Sequence, residues 1–317
     1  MRDIYQLMKT QLSFQYKAKY LLGLVVVLTL LCLISSLSQV NVLSMSEKRF
    51  HYSEKTYAEQ GISLEQALKE DLTVKKVGNS EEINNPLKYD YLYYLSAQNA
   101  LAPFNAPNQV FTSMALLFLP ICFGVYAAFV GISDTKFKTV KMHLLISMYR
   151  PYFLGKIGSL FVITIFSVIW MAILSVVVQF IVNFLFHIEV EASVSFLHLL
   201  PVQLLYEIMI VFAVGLLTFL LTVLLKSHVF SILILMIYML LVPNLGGLDL
   251  KNIMLVSATK IFNTSASSLE MIEGSHINLA ISYFFMVLFL IIFTGFVYLL
   301  GKKRDFPKAI NFKINDL

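Results

Sequence analysis

Charge is what this sequence lacks most. Of its 317 residues only 14% are Asp, Glu, Lys or Arg, while 58% are hydrophobic and the mean hydropathy is +0.77. An ordinary soluble domain carries roughly 25% charged residues, and so few charges cannot cover so much apolar surface. A soluble enzyme of one or two domains is excluded, and so is a disordered chain, because Leu, Ile, Val and Phe dominate. Cysteine is scarce as well. Cys32 and Cys122 both sit inside apolar runs, and no CxxC or zinc-type spacing occurs. Catalytic signatures are missing too. Gly155-Lys156 and Gly301-Lys302 lack the upstream glycines and the following Ser or Thr of a Walker A loop. HExxH, GxSxG and the paired intramembrane aspartates of prenyl transfer are not present either. The expectation is a chain that is not an enzyme and binds neither metal nor cofactor.

What the sequence has is long apolar runs. Six are near the ~20 residues that a helix needs to cross a hydrocarbon core. They fall at 20–40, 110–132, 157–186, 199–225, 229–246 and 279–300. Each is continuously apolar without period-2 alternation, so the fold class is an all-α integral membrane protein rather than a barrel. The third run is too long for a perpendicular span, and the fifth is short, ending at Pro243-Asn244 and Gly246-Gly247. Lys9, Lys17 and Lys19 before the first run, with Ser36-Leu37-Ser38 after it, resemble a signal peptide. The length of the run favours an uncleaved anchor.

The basic residues set the orientation. Segments 1–19, 133–156, 226–228 and 301–317 hold four, five, one and five Lys or Arg, whereas 187–198 and 247–278 hold only Lys251 and Lys260. The long loop 41–109 holds seven, but loops of that length report topology poorly. Both termini are therefore expected in the cytoplasm, with 41–109 outside. The net charge of +5 is then a topology signal with some attraction for anionic lipid, not a nucleic-acid surface.

Outside the spans, residues 1–19 read as an interfacial helix, with Tyr5, Met8, Leu12 and Tyr16 at helical spacing. A partner-contacting role for this helix is the alternative. The 41–109 loop reads as a small, mostly helical extracellular cap. Ser63-Leu64-Glu65-Gln66 forms a capping box opening a helix to about Leu72, and Tyr89, Tyr91, Tyr93 and Tyr94 suit the outer membrane surface. Within 247–278, Asn252 to Phe262 predicts an amphipathic helix on or in the outer leaflet. His187, Glu189, Glu191 and His198 could surround a metal, but no ligand within a span stands beside them, which favours a solvated loop.

Four polar residues lie inside the spans. Gln179 and Asn183 are four apart near the outer end of the third, and Gln203 and Glu207 four apart near the outer end of the fourth, so each pair shares a helix face. Two antiparallel helices would pair Asn183 with Gln203 about one turn deep, and Gln179 with Glu207 roughly 10–12 Å deep. A carboxylate in a bilayer costs ~2.5 kcal/mol or more and normally faces a bundle interior or an aqueous cavity. Interhelical hydrogen bonding is one reading of these rungs. A cavity lining or outer gate is the other.

The inner loop 133–156 carries the strongest motif. After a span with Gly124, Ala127, Ala128 and Gly131 come Asp134, Lys138, Thr139, Val140, Lys141, Leu144, Leu145, Ser147, Arg150 and Gly155-Lys156. Phe137, Val140, Leu144 and Leu145 make one apolar helix face suited to a groove on a soluble partner. This loop resembles the inner loop of ABC-2-type transporter permeases. There an acidic residue, a Gly-Thr, a Leu-rich turn, a Ser-x-x-Arg step and a Gly-Lys open the third span. Asp134 stands for the usual Glu, and Lys138 replaces the expected Gly. The whole-chain layout extends the likeness to nearly the full length, apart from the larger 41–109 loop.

The resemblance implies the membrane subunit of an ATP-binding cassette exporter. Two such subunits, identical or different, would pair with two separate ATPase subunits that bind ATP and Mg. Residues 133–156 would be the coupling helix, and the cargo would be hydrophobic or amphipathic, such as a peptide, antibiotic or lipid-like molecule. The plasma membrane of an AT-rich Gram-positive bacterium is the expected setting, the AT-richness resting on abundant Lys, Asn, Ile and Phe. Two rivals stand: a membrane sensor or immunity protein whose cap binds a ligand without transport, and an intramembrane enzyme built on Glu207.

Overall fold

The computed structural model describes residues 2–77, 80–136, 148–188, 190, 197–242, 246–262 and 278–305. Helix α1, Arg2–Lys17, ends where Lys19 takes a left-handed conformation (φ 61°), and α2, Tyr20–Glu59, starts directly after it. Between Gly23 and Gly61 the chain contains no Gly or Pro, so nothing stops the helix where apolarity fades near residue 40. It is 40 residues long, about 60 Å at 1.5 Å per residue, twice the ~30 Å hydrocarbon thickness. The first span is therefore only the lower half of α2. The expected span 20–40 is the first half of this helix, which runs on unbroken to Glu59.

The upper half of α2 belongs to the cap. It packs with α3, Leu64–Lys69, and α4, Pro86–Ala100, around Phe50, Ala67 and Leu87. The capping box forms as the sequence predicts: Gln66 N donates to Ser63 Oγ (3.3 Å) and Ser63 N to Gln66 Oε1 (3.0 Å). The helix stops at Lys69, short of Leu72. Beyond it lies a hairpin of β1, Val74–Val77, and β2, Ser80–Ile83, antiparallel with Val74 opposite Ile83. Apart from this pair of four-residue strands the described fold is helical. Arg49 Nε bonds Asp90 Oδ1 (2.6 Å), Ser53 donates to the same carboxylate, and Phe50 stacks on Tyr94 at 5.7 Å. The tyrosines of α4 thus build a small core with α2 as well as a surface.

The chain then enters the bundle by a broken helix. A 3-10 turn, Pro103–Asn105, leads into α5, Ala106–Val110, then a π turn, Phe111–Ala115, and α6, Leu116–Lys136. Helix α7 covers Tyr149–Phe186, α8 Leu200–Leu225, α9 His228–Met236 with a π turn Ile237–Leu241, α10 Leu250–Ile261 and α11 Leu279–Asp305. Five helices are long and apolar enough to cross a membrane: α2, α6, α7, α8 (counted from Leu197) and α11. The expected span 229–246 is a shorter apolar helix, His228–Leu241.

Cross-contacts give the helix directions. Tyr20 meets Phe129 (5.9 Å) and Ser35 Oγ meets Ser113 Oγ (3.2 Å), so α2 runs antiparallel to α6. Lys156 reaches Val130 O (3.2 Å) near one end of α7, and Asn183 reaches Leu101 O (2.9 Å) near the other. Helices α6 and α8 run parallel and very close. A Cβ on Gly215 would lie 2.5 Å from the Phe123 ring, and one on Gly131 3.0 Å from Thr222; small residues allow this approach in a membrane bundle. At the far end Arg304 donates to the Val223 and Leu224 carbonyls (2.8 and 3.2 Å), capping the C-terminus of α8 where a cation complements the helix dipole.

Helix α1 lies against α7 and α2. Tyr5 and Tyr16 are exposed, whereas Gln11 and Gln15 are buried. Tyr126 Oη donates to Gln15 Oε1 (2.6 Å) and Gln15 Nε2 to Ser159 Oγ (3.1 Å). Bundle hydroxyls at this depth need partners, and glutamine supplies both a donor and an acceptor.

Candidate functional site

Two polar clusters hold the residues that the sequence singles out. The first gathers near the C-terminal end of α7 and the N-terminal end of α8, around Gln179, Asn183, Gln203 and Glu207. All four are there, but the expected rungs do not form. Gln179 Nε2 donates to Asn183 Oδ1 within α7 (2.8 Å), Asn183 Nδ2 donates to Leu101 O (2.9 Å), and Gln203 Nε2 donates to Asn108 Oδ1 (2.6 Å). The pairing of Asn183 with Gln203 and of Gln179 with Glu207 is corrected. The 101–108 segment packs against both α7 and α8 and takes up their amides.

Glu207 remains. Its side chain is 1% exposed, and neither carboxylate oxygen has a hydrogen-bond partner among the described residues; Gln203 Oε1 has none either. Three side-chain oxygens thus lie on the buried face of α8, one helical turn apart, without a partner among the described residues. With α6 and α8 parallel and Asn108 beside Gln203, the turn after Gln203 stands level with the π turn Phe111–Ala115. Such π turns concentrate at functional sites because they free backbone groups from the i→i−4 ladder. Asn108 escaped the sequence reading. The available signal was Asn105-Ala-Pro-Asn108 immediately before Thr112 and Ser113, a polar cluster at a span entrance.

The second cluster lies at the opposite end. Asp134 and Lys156 form a buried ion pair (2.7 Å), each about 3% exposed. Tyr152 Oη donates to Asp134 Oδ2 (2.5 Å), and the ammonium stands 5.3 Å from the Tyr152 ring centroid. Asp134 near the end of α6 and Lys156 in α7 bracket residues 137–147, which fall outside the described residues. Of the expected coupling residues, Lys138, Thr139, Val140, Lys141, Leu144 and Leu145 are therefore not placed. Arg150 is exposed on the first turn of α7. Asp134 is a buried stem residue rather than a surface contact.

Among the described residues no group of three or more His, Cys, Asp or Glu is arranged to hold a metal ion. Glu189 and Glu191 lie outside them, and His187 takes the left-handed position that ends α7 (φ 54°). Cys32 is buried and free, its Sγ 3.8 Å from Met171 O, and Cys122 is free and partly buried.

The fold is thus a helical bundle whose long apolar helices are compatible with a multi-pass membrane protein, with side-chain oxygens that lack a partner among the described residues near one end and a buried ion pair near the other. Comparisons with protein-family models, with curated proteins and with solved structures gave no match.

Proposed function

We propose that this chain is the membrane-spanning permease subunit of an ATP-binding cassette exporter, multi-pass in the plasma membrane of a Gram-positive bacterium. Its six crossings leave both termini in the cytoplasm and the 41–109 cap outside. It works as a homo- or heterodimer with two ATPase subunits that hold ATP and Mg, and it moves a hydrophobic or amphipathic cargo.

One observation carries the reading: the Asp134–Lys156 pair locks together the two stems of the loop that resembles a coupling helix. A partner that pushes on such a loop moves bundle helices only if the stems do not yield. A buried, hydrogen-bonded ion pair is a stiff junction. A push at 137–147 is then passed to α6 and α7 together, and through the close α6–α8 contact to the helix bearing Gln203 and Glu207. Those residues, with Gln179 and Asn183, are the proposed outer gate or cavity lining.

The test is co-purification from the native membrane. The full chain is expected to bring down an ATP-hydrolysing subunit, and Val140→Asp/Leu144→Asp/Leu145→Asp to lose it while keeping the parent's thermal unfolding midpoint. Retained ATPase in that variant would sink the coupling-helix assignment. No ATPase with the parent chain would sink the transporter reading.

A further inference from the structure

The elbow between α1 and α2 holds a groove of about 490 Å³ that neither polar cluster uses. Tyr16, Lys17 and Lys19 line one end, and Leu22, Val25 and Val26 line the other. Both lysines are exposed and make no ion pair with a described residue. Between Asp3 and Glu47 the chain has three lysines and no acid, so the local field is positive. At the apolar end Leu22 is 62% and Val26 50% exposed, on a helix that begins at the elbow and runs into the bundle. The groove therefore changes from cationic to aliphatic along its length.

We infer that this groove binds an anionic phospholipid of the surrounding membrane. Lys17 and Lys19 hold its phosphodiester, and one acyl chain lies along Leu22, Val25 and Val26. A free phosphate would satisfy the lysines but leave the aliphatic half unfilled, and a zwitterionic lipid would bring no net charge to the cationic end. Two features give the groove a fixed shape. Gln15 anchors α1 through Tyr126 and Ser159, and Lys19 turns the chain in the left-handed conformation, with Lys17 and Lys19 both lining the groove.

The experiment is native mass spectrometry of the purified full chain, equilibrated in detergent with equal amounts of phosphatidylglycerol and phosphatidylcholine of the same acyl chains. The parent is expected to retain phosphatidylglycerol preferentially, and Lys17→Gln/Lys19→Gln to lower that preference about thirtyfold, as two lysines at a membrane surface are worth. Lys302→Gln/Lys303→Gln, at exposed positions near the end of α11, is expected to leave it unchanged. Val26→Trp, which fills the aliphatic half and keeps both charges, is expected to lower retention of both lipids. The proposal is overturned by an unchanged preference in the elbow double variant, or by an equal fall in the α11 variant, which would mean diffuse attraction. It is also overturned by full retention in Val26→Trp, or by displacement of the lipid with glycerol phosphate, which would mean a free-anion site.

Discussion

At the scale of single residues the two polar clusters carry opposite costs. Asp134 and Lys156 satisfy each other and add Tyr152 and the Val130 carbonyl. Removing one charge leaves the other buried and uncompensated, so Asp134→Ala should destabilise the detergent-solubilised protein by about 3–5 kcal/mol. The double replacement Asp134→Leu/Lys156→Met should recover most of the loss, measured as thermal unfolding of all three variants. Glu207 is the reverse case. A buried carboxyl without a partner is a cost, and costs of this kind persist where function needs them. Glu207→Leu should raise the unfolding midpoint and lower cargo export; a raised midpoint with unchanged export would assign Glu207 no part in gating. Both acids stood out in the sequence, one in a motif and one in a span. The partners of Gln203 and Asn183 did not, because Asn108 and the Leu101 carbonyl come from a segment whose packing against α7 and α8 no local pattern encodes.

At the scale of elements, small residues decide how closely helices approach. A Cβ on Gly215 would meet the Phe123 ring at 2.5 Å and one on Gly124 the Leu235 side chain at 2.4 Å, while Gly23 and Gly295 have open space around them. Gly215→Ala should therefore destabilise by roughly 1–3 kcal/mol through overpacking. Gly295→Ala, inside a helix with nothing near it, should be neutral or stabilising by up to ~1 kcal/mol. Thermal melts of the two variants side by side check the contrast. Gly124 and Gly131 were legible as a small-residue span, though not which helix they would meet. Helix ends were legible where the sequence punctuates them, as at Ser63. Hydropathy marks the span at 20–40 but not the end of α2, which runs on to Glu59 because no Gly or Pro stops it before Gly61. The π turns before α6 and after α9 had no sequence signal at all.

At the scale of the molecule the question is how the chain gets from the end of α8 to the start of α11. Arg304 binds the carbonyls at the C-terminus of α8, while Tyr206, near its N-terminus, donates to Met254 O (2.7 Å) and Ser282 donates to Gly247 O (2.7 Å). Lys226 and Gly247 are thus at opposite ends of α8, and the chain between them covers its length. Helix α9 with its π turn supplies His228–Leu241, 14 residues or about 21 Å. The remaining ~9 Å of hydrocarbon thickness is within reach of three or four extended residues. Such a short passage is tolerated because it packs against α6 and α8 rather than standing in lipid. If this passage crosses the membrane, a cysteine at Lys226 and one at Gly247, each in a Cys32→Ala/Cys122→Ala background, should label with impermeant reagent from opposite faces of sealed vesicles. Labelling from one face would make α9 re-entrant, reverse α11 and place the C-terminal basic residues outside. The partition of lysines and arginines opposes that arrangement.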